Sequence, residues 1–311
     1  MEILVFGAGA IGSFFGGLLS RRHDVTLIGR AEHVAAIRAH GLRISGKTAV
    51  IAKPRAATRV PGDARPEIVF VTTKAYDTAN AMLALRKFAD RSIFVTLQNG
   101  LGNAETIAKT ARRVVAGTTT HGVTFVGPGE VRHAGVGELV LGAWTHVDEA
   151  NLVRLRDLFA DVGIVAQLTS DIRTELWSKL VVNASINPLA AIAGVPNGRV
   201  VRDKRLLAVL DRVCAEAAEV ATAEGAHIDA EEVRHRTVLI AKRTAANRGS
   251  MLQDLDRRRR TEIDAITGAI VRAASRHHKP VPLNEALYAI VRARESTFRE
   301  RTDTNLTDQS L

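Results

Sequence analysis

Short apolar runs alternate with segments of helical pattern through the first half of the chain. The apolar runs are rich in β-branched and aromatic residues, have the length of strands, and cover residues 3–6, 25–28, 68–72 and 92–97. Helical patterns lie between and after them, at residues 9–21, 31–40, 75–89 and 103–110. This alternation predicts a Rossmann-like α/β domain with a doubly wound parallel sheet.

Between residues 114 and 141 the pattern changes to strand signals interrupted by glycines such as Gly117, Gly122 and Gly135. We interpret this region as antiparallel strands added at the edge of the sheet. A helix–strand pair over residues 148–168 completes the first domain, which is expected to span residues 1–168.

Beyond residue 170 the strand signals nearly disappear. Amphipathic helical patterns cover residues 171–185, 203–224, 230–246, 261–275 and 284–297. We therefore expect an all-α C-terminal domain of residues 169–311, which would hold the substrate and the catalytic groups.

Composition is that of an ordinary globular protein, with 46% hydrophobic and 24% charged residues among 311. The single cysteine, Cys214, excludes an intrachain disulfide and favours a reducing compartment. No signal-peptide pattern precedes the first strand. The longest mainly apolar segment, residues 180–195, is interrupted by Asn183, Asn187 and Pro188, so no membrane span is expected. These features predict a cytoplasmic protein.

The formal net charge of +10 raises the question of nucleic acid. Basic residues are spread along the chain and aromatic residues make up 4%, too few for stacking platforms, so no nucleic-acid partner is expected. The histidines show no helical ligand spacing beside carboxylates, so no metal site is predicted. The run Arg257–Arg260 is interpreted as a solvated face.

A glycine motif follows the first strand and opens the first helix. It comprises Gly7, Ala8, Gly9, Ala10, Ile11 and Gly12. Glycines at this spacing allow a tight turn, close approach of the backbone to a pyrophosphate, and close helix–strand packing. The position and spacing together predict a dinucleotide site on the helix N-terminus.

Cofactor choice is determined after the second strand, where an acidic residue would bind the ribose of NAD. The sequence has Arg30 there, whose guanidinium suits the 2′-phosphate of NADP. Glu32 is expected in the first turn of the next helix. Lys74 and Asn99 fall where strands should end, the edge at which ligands collect in such sheets. A solvated loop side chain is the alternative for each of these two.

A polar row is predicted on the helix that opens the second domain. Lys179 and Asn183 are four residues apart among apolar neighbours, and Asn187 would continue the row, although Pro188 is expected to end or bend the helix there. Such a row must be satisfied by partners or line a cavity. A snorkelling surface lysine and a helix-end asparagine are the alternatives.

Two further polar positions have structural explanations of their own. Ser250 and Gln253 form the Ser-x-x-Gln pattern of a capping box. Glu262 lies near a predicted helix start, where a carboxylate is favourable.

Taken together, these motifs resemble the ketopantoate reductase (2-dehydropantoate 2-reductase) family over nearly the whole chain. The matching segments are residues 7–12, 72–74, 98–100, 177–188, 250–254 and 261–264. The resemblance implies NADPH-dependent reduction of ketopantoate to pantoate, on the route to pantothenate. The run Arg257–Arg260 is not part of the pattern.

By this resemblance Lys179 is the catalytic lysine and Glu262 orients the substrate. It further implies that Asn183, Asn187 and Ser250 contact substrate, that Asn99 lies near the nicotinamide and substrate, and that Arg30 and Lys74 lie at the 2′-phosphate.

The expected partner is therefore a small 2-keto acid, with a homodimer left open. Two alternatives remain: a paralogue that reduces another 2-keto acid or related carbonyl, and a non-catalytic NADP-binding sensor.

Overall fold

The computed structural model describes the backbone of residues 1–307 and the side chains of residues 1–298. The chain forms two compact units, the first covering Met1–Glu175 and the second beginning at Leu176.

Strands are confined to the first unit within the described chain. They are β1 (Glu2–Phe6), β2 (Asp24–Ile28), β3 (Leu42–Gly46), β4 (Val50–Ala52), β5 (Arg55–Ala57), β6 (Ile68–Val71), β7 (Ile93–Thr96), β8 (Arg113–Thr119), β9 (Gly122–Gly127), β10 (Glu130–Gly135), β11 (Leu139–Thr145) and β12 (Ala166–Leu168). The helices of this unit are α1 (Ala10–Leu19), α2 (Ala31–His40), α3 (Thr78–Leu85), α4 (Asn103–Ala108) and α5 (Glu149–Ala160).

The main sheet has eight strands in the order β12-β11-β8-β7-β6-β1-β2-β5. From β5 through β8 every neighbouring pair is parallel, and β11 joins β8 antiparallel. Alternate residues of β1 enter two different cores: Ile3 and Val5 pack in the cluster that contains Phe14 of α1, and Leu4 packs with Leu85 of α3. Helices therefore cover both faces, which confirms the predicted doubly wound α/β class.

The glycine-punctuated region 114–141 follows the expectation only in β11, which pairs antiparallel with β8 toward one edge of the main sheet. β8 is a parallel member of the main sheet, and β9 and β10 belong to a separate four-stranded sheet in the order β4-β3-β10-β9. In that sheet β10 pairs in parallel with β3, so that Val131 lies opposite Ile44. Both side chains are buried in the same core cluster as Phe14 of α1, so the second sheet covers that core.

The second unit is helical throughout its described part, as expected. Its helices are α6 (Ile172–Ala193), which starts within the first unit, α7 (Asn197–Arg202), α8 (Lys204–Ala223), α9 (Ala230–Arg243), α10 (Ser250–Asp256), α11 (Thr267–Arg276) and α12 (Pro282–Thr307). None of the helices described is both long and apolar enough to cross a membrane.

α6 continues through Pro188, so the predicted end of the helix there is wrong, whereas the alternative of a bend stays a prediction. Proline removes one backbone N–H from the helix, whereas the residues that follow it, Leu189, Ala190 and Ala191, are all buried. Packing of this last part of α6 outweighs the lost hydrogen bond.

Candidate active site

The glycine turn is pressed between the end of β1 and the end of β6. A Cβ on Gly7, whose φ is +112°, would come within 2.6 Å of the Thr73 backbone nitrogen. A Cβ on Gly12 would meet the Gly7 carbonyl oxygen at 2.3 Å and Thr72 Oγ1 at 2.4 Å. Thr72 also donates its hydroxyl to the Gly7 carbonyl, at 2.9 Å. Internal packing therefore accounts for two of the three glycines.

Gly9 has a different explanation. It is exposed, its backbone is extended (φ −81°, ψ −160°), and an added Cβ would meet nothing within 4 Å. Neither backbone conformation nor packing within the chain calls for glycine at this position. Gly9 is also the N-cap of α1, where the first backbone N–H groups have no acceptor within the helix. A glycine here leaves room for an external anion to approach this helix end closely.

Arg30 follows β2 and is the N-cap of α2. Its side chain is exposed, and among the described residues its guanidinium makes no hydrogen bond or ion pair. Glu32 lies in the first turn of α2, as predicted.

Lys74 and Asn99 follow β6 and β7, two adjacent parallel strands. Gln98 joins these two strand ends, because its Nε2 donates to the Thr73 carbonyl at 2.9 Å and to Thr78 Oγ1 at 2.8 Å. These strands are adjacent in the order β7-β6-β1-β2 and run parallel. Both residues, the glycine turn and Arg30 therefore lie at the carboxyl ends of the strands, on one side of the sheet.

In the second unit, α6 carries the predicted polar row. Lys179, Asn183 and Asn187 are partly exposed, and the residues between 180 and 186, Asn183 aside, are buried. Because they are spaced by four residues, all three lie on the same side of the helix.

The charge of Lys179 is set by burial and by Glu262. Burial lowers the pKa of the Lys179 ammonium to about 8, and the negative charge of Glu262 opposes part of this shift. Glu262 is itself buried, at 8% exposure. The structure therefore brings together the two residues predicted to be catalytic.

The local structure around Glu262 differs from the prediction. α11 begins at Thr267, so Glu262 lies in the turn before the helix and not at its start. Its carbonyl accepts the backbone N–H groups of Ala265 and Ile266, each at 3.0 Å. A tight turn takes the place of the predicted first helical turn.

The prediction of a capping box at Ser250 is also wrong. Gly249 is the N-cap of α10, Ser250 is exposed in the first turn, and no side chain caps this end. Gln253 donates instead to the Arg248 carbonyl, at 2.8 Å. Because capping no longer explains Ser250, its hydroxyl is available for another role.

Two family models match this chain. The model described as ketopantoate reductase PanE/ApbA matches residues 3–146, and its C-terminal counterpart matches residues 171–295. The chain belongs to the ketopantoate reductase family. A 2-dehydropantoate 2-reductase from Pyrococcus horikoshii is 36% identical, over 95% of this chain and 98% of the relative.

Solved structures of family members and neighbours share the fold. A PanE/ApbA family ketopantoate reductase from Ralstonia eutropha JMP134 has a TM-score of 0.89 at 35% identity, covering 96% of this chain and 100% of that one. The ternary structure of D-mandelate dehydrogenase with NADH and anilino(oxo)acetate has a TM-score of 0.91 at 28% identity, covering 96% and 99%.

One polar residue of this family member escaped the sequence analysis. Asn197 is buried at 9% exposure; its Nδ2 donates to Thr244 Oγ1 at 3.0 Å, and its Oδ1 has no hydrogen-bond partner among the described residues. A Cβ on Gly249 would lie 3.3 Å from this Oδ1 and 3.4 Å from Asn187 Oδ1. Asn197 therefore lies beside Asn187 and the residue preceding Ser250. In the sequence, an asparagine that follows a proline at the start of a helix indicates only a helix cap, so nothing there pointed to Asn197 as a site residue.

Proposed function

We propose that this protein reduces 2-dehydropantoate (ketopantoate) to pantoate with NADPH, a step of pantothenate biosynthesis. The observation that carries the proposal is the partly buried Lys179 under the influence of the Glu262 carboxylate. Curated relatives named 2-dehydropantoate 2-reductase match nearly their whole length and support the same conclusion.

The residues of the first unit fit a nicotinamide dinucleotide. Gly9 leaves open space at the N-terminus of α1, which suits a pyrophosphate, and the guanidinium of Arg30, exposed and without a partner in the described part of the chain, suits a 2′-phosphate. Lys74 would add a second cation there, and Asn99 would approach the nicotinamide. When bound, the reduced nicotinamide supplies a hydride to the ketone carbon of the substrate.

Lys179 would complete the reduction as general acid. Negative charge develops on the ketone oxygen, and the Lys179 ammonium stabilises it and then transfers a proton, leaving a neutral amine and an alcohol. Since its pKa is about 8, most of the lysine is protonated at pH 7. Glu262 favours the ammonium form and would orient a substrate hydroxyl. Asn183, Asn187 and Ser250 would bind the carboxylate and hydroxyl oxygens.

A substrate panel tests the proposal. Purified protein should oxidise NADPH with ketopantoate faster than with ketoisovalerate, pyruvate or phenylglyoxylate. Replacing Lys179 by alanine should lower kcat about 10²–10⁴-fold, the usual contribution of a positioned general acid. Lys279→Ala, at an exposed position, serves as the matched control and should keep normal turnover.

Two results would contradict the proposal. Faster turnover of another keto acid would show that the protein is a paralogue with a different substrate. NADPH binding without turnover of any keto acid would show that it is a non-catalytic sensor. Near-normal turnover by Lys179→Ala would remove the lysine from the mechanism.

A further inference from the structure

The turn that carries Glu262 is held by side chains of α12. Tyr288, Arg292 and Glu295 are spaced by four and three residues, so they share one side of this helix. Each of them contacts the turn or another member of the set. The catalytic proposal assigns no role to any of the three.

Glu295 anchors the residue immediately before Glu262. Its Oε1 accepts the backbone N–H of Thr261 at 2.6 Å, and its Oε2 accepts from the Arg292 guanidinium at 2.9 Å. The carboxylate is buried, at 7% exposure. A buried carboxylate is costly unless it is paired and hydrogen-bonded, so these two partners fix where Thr261 lies.

Asp264 anchors the other end of the turn. It accepts the Tyr288 hydroxyl at 2.8 Å and the Arg260 guanidinium at 2.9 Å. Arg292 is 3.6 Å from the same carboxylate, and it therefore links both anchors. Glu262 lies between them in the chain, so α12 fixes the backbone on both sides of it.

We propose that Glu295 is a positioning residue, which holds the turn at Thr261 so that the Glu262 carboxylate keeps its place near the Lys179 ammonium. The effect on turnover rests on the proposed function, whereas the effect on the lysine does not. Glu295 acts through Glu262 and touches no reacting atom.

The expected consequence is electrostatic. Without its anchor the turn moves, the charge of Glu262 acts less on Lys179, and burial alone then drives the pKa of the ammonium below about 8. A neutral amine has no proton to give, so the loss of activity at alkaline pH begins at a lower pH. The charged and titratable groups around the turn and its anchors are Arg260, Glu262, Asp264, Arg272, Tyr288, Arg292 and Glu295.

Three variants test the inference by steady-state kinetics across pH. Glu295→Ala removes the acceptor; we expect kcat to fall about tenfold and the alkaline limb of the profile to move down by about 0.5–1 pH unit. Glu295→Gln keeps an acceptor oxygen and should restore most of the wild-type profile. Glu285→Ala removes an exposed carboxylate from the same helix and should leave the profile unchanged.

A second readout does not depend on turnover. Acetic anhydride reacts with the neutral amine, so mass spectrometry of Lys179 acetylation against pH gives a midpoint for this lysine in the free protein. We expect the midpoint near 8 in the wild type and lower in Glu295→Ala. A lower rate with neither the limb nor the midpoint moved would overturn the inference, because a merely structural role predicts that result.

The design separates the two proposals. A shifted midpoint in a protein that reduces no keto acid would sustain the positioning role and defeat the proposed function. If Glu295→Ala does not fold, Glu295→Leu takes its place, since it removes the acceptor for the Thr261 N–H and keeps a side chain of similar size. A lower midpoint in that variant supports the positioning role of Glu295, and an unchanged one overturns it.

Discussion

Arg30 is the residue that we propose discriminates between the two nicotinamide cofactors. Its exposed guanidinium has no partner within the described residues, and in the sequence it stands after β2, where an acidic residue would indicate NAD. A charged hydrogen bond to a 2′-phosphate contributes about 1.5–3 kcal/mol, which corresponds to roughly 10–100-fold in affinity.

Arg30→Ala should therefore lower kcat/KM for NADPH by about 10–100-fold and change kcat/KM for NADH little, because NADH has no 2′-phosphate. Steady-state kinetics with both cofactors measure the ratio. Arg21→Ala is the control, because it removes an exposed charge just beyond the C-terminal end of α1, away from the glycine turn. Equal efficiency of the wild type with NADH and NADPH would refute the assignment.

Arg258 occupies a backbone conformation that favours glycine. Its φ is +51°, and it follows Arg257, the C-cap of α10. The N–H of Arg259 donates to the Asp254 carbonyl at 2.8 Å, which closes the helix end. A side chain at such a position costs on the order of 1 kcal/mol.

Arg258→Gly should raise the free energy of unfolding by about 0.5–1 kcal/mol, because the strain disappears. Arg257→Gly is the matched control: its φ of −90° suits any residue, so glycine should destabilise there by a similar amount. Urea denaturation measures both. Equal destabilisation by the two variants would show that Arg258 is not strained.

At the scale of elements, buried histidines join the second sheet to the rest of the first unit. His121 Nδ1 and His133 Nε2 are 3.1 Å apart, so one neutral ring donates to the other. Both rings pack against Phe14 of α1. Burial, with a smaller contribution from His133, lowers the pKa of His121 to about 4.

This pair predicts acid sensitivity. Protonation of His121 is less favourable in the folded state than in the unfolded state. The contribution of this ring to the free energy of unfolding is therefore fully present above pH 6.5 and is lost as the pH falls from 6.5 toward 4. Between pH 7.5 and pH 5 the loss from this ring is about 2 kcal/mol.

His121→Asn, which keeps an acceptor near the Nδ1 position and does not titrate, should remove that part of the pH dependence. Urea denaturation at both pH values measures it, with His146→Asn at an exposed position as the control. An unchanged dependence in His121→Asn would assign the acid sensitivity to other groups.

At the scale of the molecule, local pattern predicted the doubly wound class and the helical second unit. Strand–helix alternation is a short-range signal, and it located β1, β2, β6 and β7 within a residue or two. β3, β4 and β5, of three to five residues each, were missed. Their stability comes from partners distant in sequence, such as Glu130 opposite Arg43, and periodicity carries no information about such pairing.

The features of the candidate site also divide into those that local sequence could predict and those that depend on contacts between distant residues. The rule that ligands collect at strand ends anticipated the common edge of the glycine turn, Arg30, Lys74 and Asn99, because it follows from chain direction alone. Sequence could not place Glu262 in a turn or show that Ser250 leaves its helix uncapped, because both depend on which backbone groups meet in three dimensions. The roles of these residues in catalysis stay predictions.

The lowered pKa of Lys179 has a consequence for the direction of the reaction. A group that titrates near 8 is present in both forms at the pH of most cells, so it can release a proton to a ketone and also accept one from an alcohol. If Lys179 has the proposed role, the same amine could serve both directions, with the ammonium form that suits reduction in excess at pH 7. Net flux would then follow the ratio of reduced to oxidised nucleotide and the supply of keto acid.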